Sequence, residues 1–265
     1  MPDRPAWVPD SINTELPSAA RVYDYLLGGG HNFAIDRVVG EKVLQVLPNG
    51  GQIAGSNRAF LRRAVLFMIE QGITQFLDLG SGIPTVGNVH EIAQQADPDA
   101  RVVYVDYDEV AVTHSEMLLQ GNENAAVVAA DATRPDRVLS APAVRKMLDF
   151  DRPVGLLMVA VLHFVPDEKK PHDVLAQYLD ALPAGSLVAL SHLTADGKPD
   201  EMAEVVEAMK NSRDPMYFRT HAEFASMFEG LEVLDPGVVS APHWRPEVDY
   251  DTSPDDVYVG VGRKV

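Results

Sequence analysis

The sequence contains no cysteine. This absence excludes disulfide bonds, zinc sites with thiolate ligands and a cysteine nucleophile, and it suits a reducing compartment. Long apolar runs are also missing, because no stretch approaches the roughly twenty residues that cross a bilayer. The first residues lack the basic-then-apolar pattern of a signal peptide. We therefore expect a soluble, cytoplasmic protein with no membrane partner.

Basic residues are scarce relative to acidic ones. The chain has 22 Lys and Arg against 39 Asp and Glu, which gives a formal net charge of −17. A protein this acidic repels the phosphate backbone of nucleic acids, so we expect no nucleic-acid partner. Arg58, Arg62 and Arg63 form the densest basic cluster, and their near-helical spacing predicts a solvated helix face.

The 265 residues suit one large domain with a substantial core. We divide it into an N-terminal arm with a helical cap, 1–72, and a main unit, 73–265. Within the cap, Ser18 is a candidate N-cap of a helix that Gly28 ends. Ser56 is a candidate N-cap of a second, longer helix.

From residue 75 onward, apolar β-branched runs alternate with helix-compatible stretches. "QFLDLG", "ARVVYVD", "AAVVAAD", "VGLLMVAVLHFV" and "SLVALSHL" are the predicted strands, and Pro142 should break the helix predicted over 134–149. This alternation predicts an α/β fold, a Rossmann-like doubly wound sheet that is mostly parallel. The last two strand-like runs have no helix between them, so one should run antiparallel at an edge. Ligands of such sheets bind beyond the carboxyl ends of the strands.

The first predicted strand ends in the glycine turn "FLDLGSGIP", residues 76–84. A phosphate-binding P-loop needs a lysine followed by Ser or Thr, and neither follows Gly82. A dinucleotide fingerprint would place Gly or Ala at Thr85. Asp78 would also repel a pyrophosphate, by about 4 kcal/mol at about 4 Å for an effective dielectric constant near 20. The carboxylate favours a cationic ligand instead, and S-adenosylmethionine carries an ammonium and a sulfonium. Gly80 permits close approach of that ligand to the backbone.

Two further acids follow the next two strands. Asp106 ends the second strand, where a carboxylate can accept both hydroxyls of a ribose; NAD enzymes share this feature. Asp131 follows the third strand, where its carboxylate and the backbone N–H of Ala132 can bind the amino edge of an adenine. Three acids on consecutive strand ends indicate a nucleoside site more specifically than any one of them.

These motifs resemble those of class I S-adenosylmethionine-dependent methyltransferases. More closely, the chain is similar to an actinobacterial S-adenosyl methyltransferase family long classed as a domain of unknown function. Four stretches carry this resemblance, and they are "ARVYDYLLGGGHNFAIDR", "NRAFLRRAV", "FLDLGSGIPTVGNVHEIA" and "RVVYVDYDEVAVTHS". The resemblance implies a seven-stranded sheet whose last two strands form a hairpin, with N-terminal helices over the cofactor. Pro84 stands where many class I members have a third glycine.

The resemblance also assigns residues to the cofactor. Its methionine end would contact the glycine turn, at Asp78, Gly80, Ser81 and Gly82. Its ribose and adenine would contact the next two strand ends, at Asp106, Tyr107, Asp131 and Ala132. Part of the cap would close over it, at Tyr23, Asn32 and Phe33. An aromatic ring near the sulfonium adds about 0.5–2 kcal/mol of cation–π attraction. Packing of a helix face is the alternative for Tyr23 and Phe33.

Catalytic groups are sparse in this sequence. His163 follows the fourth strand and is a candidate general base, with a hydrogen-bonded strand-end histidine as the alternative. No metal site is expected, because Gln94 replaces the second histidine of a zinc-protease motif and the acids 249–256 lack calcium-loop spacing. We expect transfer of a methyl group to a small-molecule acceptor. A non-catalytic S-adenosylmethionine-binding module and an NAD-dependent oxidoreductase are the alternatives.

Overall fold

A computed structural model describes residues 13–84, 87–247 and 256–265. The predictions made for Thr85 and for the acids 249, 251 and 255 lie outside these ranges, as does most of the N-terminal arm. The described helices are α1 Ala19–Leu26, α2 Ala34–Val46, α3 Gly50–Glu70, α4 Val89–Ala96, α5 Glu109–Leu118, α6 Pro135–Ser140, α7 Pro142–Met147, α8 Pro171–Ala181, α9 Pro199–Met209 and α10 His221–Ser226. The described strands are β1 Gln75–Leu79, β2 Arg101–Asp106, β3 Ala125–Ala129, β4 Gly155–Met158, β5 Leu187–Leu193, β6 Leu231–Val233, β7 Val239–Ser240 and β8 Val257–Lys264.

All of these strands belong to one sheet, in the order β3-β2-β1-β4-β5-β8-β6, with β7 paired to β8. The first five strands are parallel, and β8 runs antiparallel to β5. The chain builds outward from β1 to β3 and then returns to the other side of β1. The strand order therefore reverses between β1 and β4, where a doubly wound sheet binds its ligand. This topology confirms the predicted fold class.

The residues that the structure describes form eight strands rather than the predicted seven. The run predicted as the penultimate strand forms two short strands, β6 and β7, which both pair antiparallel with β8. Between them, Pro236 has no N–H to donate to a ladder and Gly237 has a φ of +90°. The predicted antiparallel C-terminal edge is therefore present, although its first strand is divided.

Three other boundaries bear on the site. Helix α3 begins at Gly50, so the prediction that Ser56 caps it is wrong. The fourth strand ends at Met158, and a short 3-10 helix, Leu162–Phe164, follows it. Pro142 separates α6 from α7 as predicted. Within the described ranges, no helix combines the length and the apolar character that a bilayer crossing needs.

Two apolar clusters cover the two faces of the sheet. Phe76 packs in the cluster that contains the buried face of α3, whereas Leu77 and Leu79 pack in the cluster on the opposite face. Side chains alternate along a strand, so Asp78 points to the same face as Phe76, toward α3. This alternation places the acid of the glycine turn on the side of the sheet that α3 covers.

The C-terminal segment is attached to α3 by aromatic packing. The fully buried Trp244 lies edge-on to Phe60 and Phe67, with ring centroids 5.3 and 5.8 Å apart. Arg63 donates to the carbonyl oxygens of Trp244 and Ala241 at 2.8 and 2.7 Å. Helix α3 is therefore held against both the sheet and the segment that precedes β8.

Candidate functional site

A cavity of about 410 Å³ opens at the carboxyl ends of the parallel strands. Its floor contains Asp78, Asp106 and Asp131 from β1, β2 and the segment after β3, and residues of α1, α3 and α9 form its other walls. The volume lies within the range of about 300–1,000 Å³ that is usual for small-molecule sites. The structure thus brings together the three strand-end acids that the sequence analysis identified.

The glycine turn is fixed to the end of β2. The N–H groups of Gly80 and Ser81 donate to the carbonyl oxygen of Val105 at 2.7 and 3.1 Å, and the N–H of Gly82 donates to Asp106 Oδ2 at 2.7 Å. Gly80 has a φ of +69°, and a Cβ there would lie 2.4 Å from Cγ2 of Val161. Only glycine fits at this position, which explains the first glycine of the motif.

Asp78 is only 5% exposed. Burial raises its pKa to about 7, the guanidinium of Arg58 acts to lower it, and Asp106 raises it further. A positive ligand group beside this carboxylate would stabilise its ionised form. The hydroxyl of Ser81 is also buried, and its oxygen has no hydrogen-bond partner in the part of the chain that the structure describes. Both features fit the polar amino-acid end of S-adenosylmethionine.

Asp106 is the last residue of β2, which pairs with β1, and Tyr107 follows it. Asp106 Oδ1 accepts the N–H of Asp108 at 2.8 Å, and burial raises the pKa of Asp106 to about 6. The hydroxyl of Tyr107 donates to Asp214, and the guanidinium of Arg213 lies 4.2 Å from the centre of the Tyr107 ring. Two residues after α9 therefore hold the predicted adenine-flanking ring, a contribution that the sequence analysis missed.

Asp131 and Ala132 lie at the far end of the cavity. Asp131 Oδ1 accepts the N–H of Thr133 at 2.8 Å, and Lys169 Nζ lies 3.6 Å from Asp131 Oδ2. The carbonyl oxygen of Ala132 accepts the hydroxyl of Tyr178 at 2.9 Å. The side chain of Asp131 is 42% exposed, so this end of the cavity meets solvent.

Of the three predicted cap residues, only Tyr23 lines the cavity. Asn32 donates from its amide nitrogen to Asp24 Oδ2 at 2.8 Å and to the carbonyl oxygen of Gly29 at 2.9 Å. Phe33 packs with Ile83 beneath the guanidinium of Arg21. Asn32 and Phe33 thus shape the connection between α1 and α2, and their contact with the cofactor stays a prediction.

Arg21 anchors the cap to the sheet. Its Nε lies 2.8 Å from Asp36 Oδ2, and its Nη1 lies 3.3 Å from Asp108 Oδ2. These three side chains are at most 4% exposed, so the ion pairs are buried. Asp108 in turn accepts the N–H groups of Val110 and Ala111 and caps α5. Sequence spacing could not predict this network, because Arg21, Asp36 and Asp108 come from three separate segments.

His163 lies in the 3-10 helix after β4 and is 2% exposed. Its Nδ1 accepts the N–H of Leu193 at 3.4 Å. Burial lowers its pKa well below the usual value, and the neighbouring His192 and Arg219 lower it further. The ring is therefore neutral near pH 7, and it lines the cavity. Its role as a general base stays a prediction.

The predicted solvated arginine face is wrong for two of its three members. Arg58 lines the cavity, and Arg63 binds the backbone of the C-terminal segment. Only Arg62 lies at the surface, in an ion pair with Glu247. Near-helical spacing identified the helix, but the face that each arginine occupies depends on packing against segments distant in sequence. Among the described residues, no three His, Asp or Glu side chains converge to hold a metal ion.

Comparison with known proteins adds an independent result. A family model described as S-adenosyl methyltransferase matches residues 5–265. A DUF574 family protein from Streptomyces avermitilis MA-4680 has 40% identity and a TM-score of 0.91, covering 95% of this chain and 99% of its own. A candidate methyltransferase from Thermobifida fusca YX has 39% identity and a TM-score of 0.92, covering 98% and 99%. No curated protein matches the chain significantly.

A more distant structure shows the fold alone. The 1,6-didemethyltoxoflavin-N1-methyltransferase of Burkholderia thailandensis has 17% identity and a TM-score of 0.51, covering 93% of this chain and 91% of its own. The family match confirms S-adenosylmethionine as the cofactor, and the two similar structures come from actinobacteria, as the resemblance implied. The chain therefore belongs to the S-adenosyl methyltransferase family.

Proposed function

We propose that this protein transfers the methyl group of S-adenosylmethionine to a small-molecule acceptor. The cavity with three acids at consecutive strand ends carries this proposal, together with the glycine turn that closes against β2. When bound, S-adenosylmethionine supplies an electrophilic methyl group on a positively charged sulfur. The net charge of −17 argues against a nucleic-acid acceptor, because such a surface repels phosphate backbones.

We assign the residues around the cofactor as follows. Asp78 binds its ammonium, and Arg58, on the same side of the cavity, binds its carboxylate. Asp106 accepts the ribose hydroxyls, and Tyr107 flanks the adenine. Asp131 lies at the adenine edge together with Ala132 and its backbone N–H. A zwitterionic amino-acid end matches an acid and an arginine side by side, whereas a diphosphate matches only the arginine and is repelled by Asp78.

The chain's own contribution to catalysis is orientation and exclusion of water. Helices α1 and α3 line the cavity, and Arg21 ties α1 to Asp108 after β2. Holding two reactants in line in a closed site accounts for a large part of the acceleration in such transfers. In this proposal, residues 1–72 comprise the N-terminal arm and the helical cap, and residues 73–265 are the methyltransferase unit.

Calorimetry with S-adenosylmethionine, S-adenosylhomocysteine and NAD tests the cofactor assignment. We expect saturable binding of the first two compounds and none of NAD. Binding of NAD with no response to the other two would overturn the proposal. Turnover is then measured with donor carrying a labelled methyl group and an extract of small metabolites. Transfer of the labelled methyl group is the expected result. If no label is transferred in repeated assays although the cofactor binds, the protein is a non-catalytic module.

A further inference from the structure

The cavity has two chemically different halves. Charged side chains occupy the half over β1, β2 and β3, which we call the nucleoside half. Besides the three strand-end acids, Lys169 pairs with Asp131, and Arg213 covers Tyr107. Arg58 acts on Asp78 and donates to the carbonyl oxygen of Gly87. These contacts assign the charges to the part of the cavity that we propose for the cofactor.

The second half lies beyond β4, between the cap helices and α9, and we call it the apolar half. Its walls share a hydrophobic character, and they include Leu26, Val43, Leu47, Met202, Val205 and Met209. Most of them belong to one contiguous apolar cluster. Among the described residues, Asp108 and Asp214 are the other charged residues of the cavity lining, and they contact Arg21 and Tyr107, toward the nucleoside half. A charged group placed in the apolar half would lose its hydration without gaining a partner.

A chain of hydrogen-bonded polar groups, which we call the polar strip, lines the cavity near the ends of β4 and β5. The N–H of Ala160 donates to Ser191 Oγ at 2.7 Å, and the Ser191 hydroxyl donates to Asn57 Oδ1 at 2.7 Å. Asn57 Nδ2 donates to the hydroxyl oxygen of Tyr23 at 3.0 Å, and that hydroxyl donates to the carbonyl oxygen of Ala54 at 3.0 Å. The strip continues the line of the fourth strand, because Ala160 follows β4.

The strip can donate hydrogen bonds, but it offers no group that readily takes a proton. Asn57 has a second amide hydrogen, and His163 carries its hydrogen on Nε2 because Nδ1 accepts from Leu193. The hydroxyl hydrogens of Tyr23 and Ser191 are directed to other protein atoms. An acceptor atom beside the strip is therefore held by donors and must bring its own lone pair.

We infer that the acceptor is an ionised phenol or enol oxygen on an otherwise uncharged, apolar molecule. This inference rests on the proposed function. The apolar body fills the apolar half, and the oxygen lies at the polar strip, where the sulfonium is its counter-charge. The oxygen lone pair forms the new O–C bond as the C–S bond breaks, and the electron pair of that bond stays on sulfur. Both charges disappear in this step, and the acceptor's proton has already passed to solvent water, so the transfer itself needs no general base.

The methionines of the apolar half indicate that acceptors of several shapes can bind. Met202 and Met209 are at most 1% exposed and lie on one helix, α9, that faces the cap. Unbranched thioether side chains adapt to irregular partners more readily than branched ones do. The half should therefore admit differently shaped apolar bodies while it rejects charge.

Calorimetry on the protein saturated with S-adenosylhomocysteine tests the class of acceptor. The probes are 2-naphthol and 6-hydroxy-2-naphthoate, which share the ring system and the hydroxyl and differ by one carboxylate. We expect 2-naphthol to bind and the carboxylate compound to bind at least about tenfold more weakly. Equal or tighter binding of the carboxylate compound would overturn the inference. Failure of S-adenosylhomocysteine itself to bind would instead contradict the proposed function.

The ionisation of the acceptor has its own readout. The phenolate form of 4-nitrophenol absorbs visible light, so its absorbance reports the protonation state of the bound compound. We expect a larger phenolate band, before turnover, with S-adenosylmethionine than with S-adenosylhomocysteine, because only the former carries the sulfonium charge. Equal bands for the two loaded proteins would contradict the charge pairing.

A pair of matched variants locates the site. Met209→Gln places an amide in the apolar half, whereas Met117→Gln makes the same change at a side chain that is 52% exposed on the outer surface. We expect about tenfold weaker binding of 2-naphthol to the first and unchanged binding to the second. Affinity for S-adenosylhomocysteine, expected to be unchanged in both, confirms that the variants fold. If Met209→Gln binds 2-naphthol with the affinity of the wild-type protein, the acceptor binds elsewhere and the inference is contradicted.

Discussion

Asp78 is buried, and its proposed role is to bind an ammonium through its negative charge. Burial usually disfavours a charged carboxylate. Burial raises its pKa to about 7, so in the absence of ligand the carboxyl binds a proton more tightly than it does in the unfolded chain. Its contribution to the free energy of unfolding is therefore fully present below the unfolded pKa of 3.8 and is lost as the pH rises through about 7. A bound ammonium reverses this preference, because it stabilises the carboxylate.

Cofactor binding should consequently release protons on the acid side of neutrality. We expect release to decline as the pH rises through about 7, since Asp78 is then already ionised before binding. Calorimetry in two buffers of different ionisation enthalpy measures the number of protons released. Asp78→Asn should reduce the number of protons released on the acid side of neutrality. An unchanged profile in this variant would exclude Asp78 from contact with the ammonium.

Asp106 offers a direct test of the ribose contact. Asp106→Asn should weaken binding of S-adenosylhomocysteine by about 10- to 100-fold, because hydrogen bonds to a charged group contribute about 1.5–3 kcal/mol. The matched control is Asp173→Asn, a side chain that is 65% exposed on α8. Isothermal titration of both variants gives the comparison. Equal affinities would show that the carboxylate does not bind the ribose.

At the residue scale, the sequence was informative where position along a strand decides the outcome. Asp78, Asp106 and Asp131 were placed together because parallel strands end at one edge of a sheet, and the cavity contains all three. Arg58 was placed wrongly, on a solvated face, because its surroundings are created by helices that fold back over the sheet. No local pattern encodes that contact.

The connection between α1 and α2 depends on a glycine that accommodates a buried acid. A Cβ on Gly29 would lie 2.0 Å from Asp24 Oδ1. Asp24 is 1% exposed, and its other oxygen accepts the N–H of His31 and the amide of Asn32, each at 2.8 Å. The carboxylate therefore cannot move aside without losing both bonds.

Two neighbouring substitutions separate this clash from a general effect of losing glycine. Gly29→Ala should lower the free energy of unfolding by about 1–3 kcal/mol, the usual cost of overpacking. Gly30→Ala should change it by no more than about 0.5 kcal/mol, because a Cβ there meets no atom within 4 Å. Urea denaturation of both variants provides the measurement. Similar losses in the two would refute the steric explanation.

At the element scale, the order and type of the helices and strands followed from periodicity, whereas several boundaries did not. The break at Pro142 was predictable because proline acts on its own backbone. The start of α3 at Gly50 was not, because glycine is a poor helix former and burial of Ile53 and Ala54, in a helix that contacts α1 and α2, overrides that preference. The division of the penultimate strand was predictable from the adjacent Pro236 and Gly237, which interrupt a strand.

For the molecule as a whole, the cap and the sheet share one ligand site and a buried ionic anchor. The cavity is lined from α1 and α3 above and from the strand ends below. Arg21 joins α1 to Asp36 and Asp108 across this boundary. A ligand that contacts both sides should therefore stabilise them together.

Hydrogen exchange tests this coupling. S-adenosylhomocysteine at about 100 times its Kd should add about 2.7 kcal/mol to the free energy of unfolding. We expect slower amide exchange in α1 and in the first turns of α3 as well as at the ends of β1 and β2. Protection confined to the strand ends, with the cap helices unchanged, would contradict a cap over the cofactor.

The burial of Trp244 against α3 gives the protein a built-in optical probe. Its indole is fully buried between Phe60 and Phe67, on the helix that presents Asn57 and Arg58 to the cavity. Trp7, the other tryptophan of the chain, lies outside the described residues. A Trp7→Phe protein therefore has Trp244 as its one tryptophan. The emission of Trp244 should be blue-shifted because the indole is buried, and it should change if α3 moves when the ligand binds. Rapid-mixing experiments can then time the arrival of the methyl donor without any label.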